Sequence, residues 1–268
     1  MSIFKKSLYY LLFIATLLIP YAVYADAKIN IPILCFHNFN PTVPGSMTLT
    51  PERLETQLKW LSDNGYTIIP LQEAVEYLQG KRASVPAKSV VITADDGWQS
   101  VYKYLYPIVK KQKFHVTLFI YPQTISEGKN AMTWDELKEL QNTGLFDIQG
   151  HTYSHPNFKH AKRSMSATGY ENFVKKELVT SKKILEDKMG TKISYLAWPF
   201  GIYDKYLEQQ AANAGYDMAF TIDYKSANRD FRPMAQPRFM IIQSESMKTF
   251  AGIVGQATGA AKTRVAKD

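Results

Sequence analysis

Short apolar runs alternate with amphipathic stretches along most of the chain. The run "IPILCF" (31–36) is predicted as a strand. Thr50-Pro51 then opens a helix, with Thr as N-cap and Pro in the first turn. Leu54, Leu58 and Leu61 give that helix an apolar stripe, and Gly65 ends it. "YTII" (66–69) reads as a strand, "LQEAVEYLQG" (71–80) as a short helix and "SVVITA" (89–94) as a strand. A helix is predicted from Trp98 to about Gln112, and "HVTLFI" (115–120) is a strand. Thr133 and Glu136 form a capping box for a helix over 133–144. "LFDIQG" (145–150) is a strand, followed by a long charged helix from about Gly169 to Met189. "ISYLAW" (193–198), "YDMAFTI" (216–222) and "PRFMII" (237–242) are further strands, with a helix over 206–215.

Alternation of this kind predicts an α/β fold with a parallel sheet and helices outside it. Seven or eight strands in one domain favour a barrel over an open sheet. Active sites in such barrels lie at the C-terminal ends of the strands. That rule selects His37, Asp95-Asp96, His151 and the segment "WPFG" (198–201). No internal repeat and no interdomain linker interrupts the pattern. One domain over 26–252 is expected, with 253–268 as a flexible tail that lacks a core pattern.

Composition changes the picture mainly at the N-terminus. Lys5 and Lys6 precede an apolar stretch from Leu8 to Ile19, Pro20 breaks it, and Val23-Tyr24-Ala25 precedes Asp26. This is the pattern of a secretory signal peptide over 1–25, with an uncleaved anchor as the alternative. An exported protein, periplasmic or extracellular, is therefore expected, with no membrane span after cleavage. Loss of Lys5 and Lys6 takes 32 basic residues to 30 against 24 acidic, a net charge of +6. The lysines fall on solvated helix faces such as Lys175-Lys176 and Lys182-Lys183. No basic run is interleaved with aromatics, so nucleic acid is not expected as a partner. Cys35 is the single cysteine. It excludes an internal disulfide and reads as a small buried residue.

The candidate chemistry lies in two motifs. "HTYSHP" places His151 and His155 four residues apart, a spacing that would set both imidazoles on one side of a helical turn. Two such histidines and a carboxylate can hold one divalent metal. The glutamate of H-E-x-x-H is missing between them, so a base must come from elsewhere. "TADDGW" (93–98) ends a buried strand with Asp95-Asp96, an awkward pair because like charges repel. A cation relieves that repulsion: one carboxylate can reach the metal while its neighbour faces a water whose proton it takes. Gly97 lets the backbone turn at the rim. Alone, either motif has a structural reading: two hydrogen-bonded loop histidines, or a capping Asp-Gly turn.

Together, "TADDGW", "HTYSHP" and "WPFG" resemble the first three motifs of the polysaccharide deacetylase family, the nodulation-deacetylase-like carbohydrate esterases. The resemblance covers essentially all of the chain after residue 25. It implies a distorted (β/α) barrel and metal-dependent removal of acetyl groups from N-acetylated sugars. Asp96, His151 and His155 would hold one divalent ion, zinc first and cobalt or nickel as alternatives. Asp95 would be the base, and Thr152 would steady the histidine loop by a hydrogen bond. In "WPFG", Pro199 and Phe200 would sit at the substrate, the Phe200 N–H beside the oxyanion. Trp98 and Phe200 would offer aromatic faces to a sugar.

Two positions depart from the family pattern. Ala197 stands where many members carry an arginine that orients the catalytic aspartate, and Arg238 in "QPRF" could replace it. A late histidine, the usual general acid, is also missing, because no histidine follows His160. A histidine after the first strand is seen in the poly-N-acetylglucosamine deacetylase branch, which makes His37 in "LCFHNF" the candidate acid. His115 and His160 read as structural or solvated. The expected partner is thus an N-acetylated polysaccharide, an exopolysaccharide first, with peptidoglycan or chitooligosaccharides as alternatives. A catalytically inactive carbohydrate-binding relative is the alternative from another class.

Overall fold

The computed structural model describes residues 29–42 and 45–257. The expected signal segment and residues 258–268 of the expected tail lie outside the described residues. The strands are β1 (Ile33–Phe36), β2 (Asn38–Phe39), β3 (Thr48–Leu49), β4 (Thr67–Ile68), β5 (Ser89–Asp95), β6 (Val116–Ile120), β7 (Phe146–Gly150), β8 (Tyr195–Ala197), β9 (Met218–Phe220) and β10 (Phe239–Met240). Seven of them form one parallel ladder in the order β10-β1-β5-β6-β7-β8-β9. β4 pairs with Ser89 and Val90 at the start of β5, and β1 takes over from Val91 onward. The ring curls round to a seam between β9 and β10, where Phe220 and Gln236 make a single parallel bridge. This is the expected distorted (β/α) barrel.

Strand alternation sorts the core into two layers. Val90, Ile92 and Ala94 of β5 pack under the helices with Leu34, Leu118 and Ile148. Val91, Ile33, Phe119, Tyr195 and Phe220 form the other cluster, inside the curl. Asp95 continues the inner series of Val91 and Thr93. His37 continues that of Ile33 and Cys35, and His151 that of Asp147 and Gln149. The inner positions at the strand ends are therefore the polar ones.

Helix caps follow the sequence closely. The Thr50 hydroxyl accepts the Arg53 N–H at 3.2 Å at the start of the helix over Pro51–Asp63. The Thr133–Glu136 capping box is formed. The helix after Trp98 begins with a π turn over Val101–Leu105 before its α-helical part, Tyr106–Gln112. The long charged helix is α-helical over Ala167–Lys175, π over Lys176–Thr180 and α-helical again over Ser181–Met189. Periodicity cannot show such a turn, because one wide turn merely shifts the apolar stripe. Two helices were not expected, Phe158–Ser164 and Met247–Val254. The first buries only Phe158 and Ala161, too thin a stripe to read. The second buries Phe250, Ile253 and Val254 and carries packing past residue 252. Among the described residues no helix is long and apolar enough to cross a membrane.

Candidate active site

Asp95 and Asp96 part company at the end of β5. Asp95 is the last strand residue and is 2 % exposed. Had the strand continued, Asp96 would face the opposite side. Instead Asp96 takes a left-handed conformation (φ 77°) and Gly97 follows with φ 80°. A side chain at Gly97 would also meet Ile125, with a Cβ only 2.8 Å from its Cδ1. The turn brings Asp96 back over the barrel mouth beside its neighbour.

Asp95 is held by Arg238. The guanidinium donates to Oδ1 at 2.9 Å and Oδ2 at 2.7 Å, a bidentate pair. Arg238 is fully buried, donates to the Thr221 carbonyl at 3.1 Å and lies over the Phe119 ring at 5.0 Å. Its bond to Thr221 spans the barrel seam, while its guanidinium reaches past β1 to β5, and so occupies the orienting place the sequence left open. Burial alone would raise the Asp95 pKa. The Arg238 charge and hydrogen bonds outweigh it and hold the carboxyl well below the usual carboxylate range. The Cys35 thiol lies 3.4 Å from Asp95 Oδ2, and burial pushes its own pKa up. It is thus a packed thiol rather than a thiolate nucleophile.

Asp96 faces the histidines. Its Oδ1 is 3.5 Å from His151 Nε2 and 3.5 Å from His155 Nε2. That oxygen is buried and has no hydrogen-bond partner among the described residues. Asp96 Oδ2 accepts the Trp98 indole N–H at 3.0 Å. His151 Nδ1 lies 2.8 Å from the Ala197 carbonyl, which places a proton on Nδ1 and turns Nε2 toward Asp96. Burial and the neighbouring His151 lower the His155 pKa to about 4, which makes it a neutral donor at neutral pH. At His151 burial is outweighed by the hydrogen bond to Asp96 and by the Asp95 and Asp96 charges, and its pKa is raised, so a cation there competes with a proton on Nε2. One carboxylate oxygen and two imidazole nitrogens, all within 4.8 Å of one another, fit a divalent cation. The orphaned Asp96 oxygen is the observation that favours it, since a buried acceptor without a partner is costly.

The two histidines do not share a helical turn. Residues 151–157 form a loop in which Thr152 (φ 64°) and His155 (φ 55°) are left-handed. These two reversals bring the imidazoles to a centroid distance of 4.7 Å. The expected Thr152 side-chain bond is also absent. Its hydroxyl is buried and has no partner among the described residues, while its carbonyl accepts from Ser181 Oγ at 2.8 Å. The left-handed backbone turns the carbonyl, not the hydroxyl, toward the helix.

His37 and Phe200 join Asp95, Asp96, His151 and His155 around one cavity of about 360 Å³, which Met47 and Met240 also line; Pro199, expected at the substrate, is buried behind it and does not line it. His37 lies at the cavity with its Nδ1 buried and without a partner among the described residues. Burial lowers its pKa. Phe200 is 58 % exposed, and its ring stands edge-on to His155 at 4.5 Å. It sits left-handed (φ 56°) in a tight turn begun by the buried Pro199. The hydrogen bonds of that turn come from the Gly201 and Ile202 N–H groups, not from Phe200. Trp98 lies just outside that cavity. It lines a neighbouring cavity with Tyr121, Lys129 and Asn130, and its indole N–H is committed to Asp96. His115 and His160 are exposed and away from this cavity. Glu177, buried under the histidine loop, gave no sequence signal, being one acid among many on a charged helix.

The polysaccharide deacetylase family model matches residues 82–219, just over half of the chain. The chain belongs to the polysaccharide deacetylase family. It is similar to the Bacillus subtilis protein YxkH, at 27 % identity over 84 % of this chain and 76 % of that protein. It is equally similar, at 27 %, to a poly-β-1,6-N-acetyl-D-glucosamine N-deacetylase of Staphylococcus aureus, over 72 % of this chain and 68 % of that enzyme. Among solved structures, the Streptococcus pyogenes deacetylase PplD in complex with acetate superposes with a TM-score of 0.75. That match has 24 % identity and covers 85 % of this chain and 99 % of PplD, and it carries the fold.

Proposed function

We propose that this polysaccharide deacetylase is an exported, metal-dependent enzyme. It removes N-acetyl groups from N-acetylglucosamine units of an exopolysaccharide. The observation that supports it most is the divergence of Asp95 and Asp96: one carboxylate is bound to Arg238, and its neighbour shares an unpartnered oxygen with two histidine nitrogens. Similarity to an enzyme of poly-β-1,6-N-acetyl-D-glucosamine supports the polymer, and the apolar N-terminal segment supports export.

Asp96, His151 and His155 would hold the ion, zinc first. When bound, the ion supplies Lewis acidity, lowering the pKa of a water and polarising the amide carbonyl. Asp95 takes the proton of the attacking water. Arg238 keeps it ionised and aimed, at some cost in basicity. As the C–O bond forms, the Phe200 N–H donates to the oxygen on which negative charge develops. The C–N bond then breaks, and His37 gives a proton to the departing nitrogen. Burial makes its imidazole a willing donor once protonated. The products are acetate and a free amine on the sugar.

The test is acetate release by metal-loaded protein from poly-N-acetylglucosamine, chitin oligomers and peptidoglycan, compared side by side. Fastest release from the first is expected. Faster release from either of the others moves the substrate there. Binding of a polymer with no release from any of them assigns the chain as a carbohydrate-binding relative.

A further inference from the structure

The loop between the two histidines has a conformation that ordinary residues resist. Thr152 and His155 are both left-handed, and for a β-branched threonine this is an outlier. Such a backbone costs about 1–3 kcal/mol and persists only where its surroundings over-determine it. The surroundings here are one face of the helix over 167–189. Glu177 is 1 % exposed, and its carboxylate gathers three donors from the loop. Oε2 accepts the Tyr153 N–H at 2.9 Å and the Ser154 N–H at 2.8 Å, and Oε1 accepts the Ser154 hydroxyl at 2.6 Å. Four residues on, Ser181 Oγ donates to the Thr152 carbonyl at 2.8 Å. Glu177 lies in the π turn Lys176–Thr180, and π turns inside helices recur at functional positions. A carboxylate this buried is expensive unless its oxygens are bonded, and its bonds go to the residues between His151 and His155.

Resting on the reading that Asp96, His151 and His155 hold a divalent ion, we infer that Glu177 is the positioning residue for the two histidines. It grips the backbone at 153 and 154 and so holds both Nε2 atoms toward Asp96 Oδ1, at 3.5 Å. Without that grip the loop relaxes, and the ion must pay the cost of ordering it.

The test is Zn²⁺ affinity of the full chain, measured by competition with a chromophoric chelator, with thermal unfolding of the metal-free proteins alongside. Glu177→Ala is expected to weaken Zn²⁺ binding about 10–100-fold, the range for groups that orient metal-ligating histidines, with acetate release recovering at excess Zn²⁺. Glu177→Gln keeps an acceptor for both N–H groups and an amide for the serine hydroxyl, so most of the affinity is expected to return. Glu208→Ala is the control. Glu208 pairs with Arg232 at 2.7 Å away from the cavity, and its loss is expected to leave Zn²⁺ affinity unchanged. Glu177→Ala that is less stable yet binds Zn²⁺ like wild type overturns the inference. If Glu177→Ala does not fold, Ser154→Ala removes one of the three bonds, and wild-type affinity in that variant is equally contrary. Wild type that binds no Zn²⁺ is a different result: it sinks the metal reading of the site itself.

Discussion

Two carboxylates adjacent in sequence have opposite surroundings. Asp95 is saturated: two guanidinium hydrogen bonds and a thiol contact meet its oxygens, and all three groups are buried. Asp96 is left half-satisfied, with Oδ2 bound to Trp98 and Oδ1 without a hydrogen-bond partner among the described residues, 3.5 Å from both histidine nitrogens. A single left-handed residue separates the two environments. The difference teaches how one strand end supplies two functions. A protein cation fixed at Arg238 neutralises the first carboxylate permanently. The second, with two imidazole nitrogens beside it, is a donor set that a removable cation completes.

The comparison breaks most visibly in catalysis. Asp95→Asn is expected to lower acetate release about 10²–10⁴-fold, the range for a lost general base, while Zn²⁺ affinity stays near wild type. Asp96→Asn should do the reverse in order of cause, losing the ion first and activity with it. Isothermal titration beside a rate assay separates the two. Stability gives the next contrast. Arg238→Met leaves a buried, unpaired Asp95 and is expected to cost about 3–5 kcal/mol in denaturant unfolding. In the metal-free protein Asp96→Asn is expected to cost less than that, because the amide keeps an oxygen for the Trp98 N–H and loses only the long contacts at 3.5 Å to His151 and His155. The mildest effect expected on the ion itself belongs to Trp98→Phe. It keeps the ring but removes the indole N–H from Asp96, and Zn²⁺ affinity should fall about 10-fold, with little change in the rate of the fully loaded enzyme.

Much of this was legible in the sequence because it follows from alternation. His37, Asp95 and His151 continue the inner faces of their strands, and Arg238 follows a proline at the start of a strand that closes the barrel. The metal set was legible as residue types, but its geometry was not. A spacing of four suggested a helical turn, whereas the structure uses a loop with two left-handed residues, and nothing in "HTYSHP" marks Thr152 or His155 for that conformation. Local pattern also could not show contacts made across the fold. Glu177 sits twenty-two residues beyond His155 and looks like any helical glutamate. The bond from the Trp98 indole N–H to Asp96, two residues away, was hidden too, because it depends on how Asp96 turns.

The most direct test of the account is acetate release from poly-N-acetylglucosamine by metal-stripped protein as Zn²⁺ is added back, run for wild type and Asp95→Asn. The account predicts that wild-type activity rises to a plateau at one ion per chain. It predicts that Asp95→Asn takes up the same single ion and stays near the baseline. Undiminished release from the stripped wild type, or a plateau for Asp95→Asn equal to that of wild type, would contradict it.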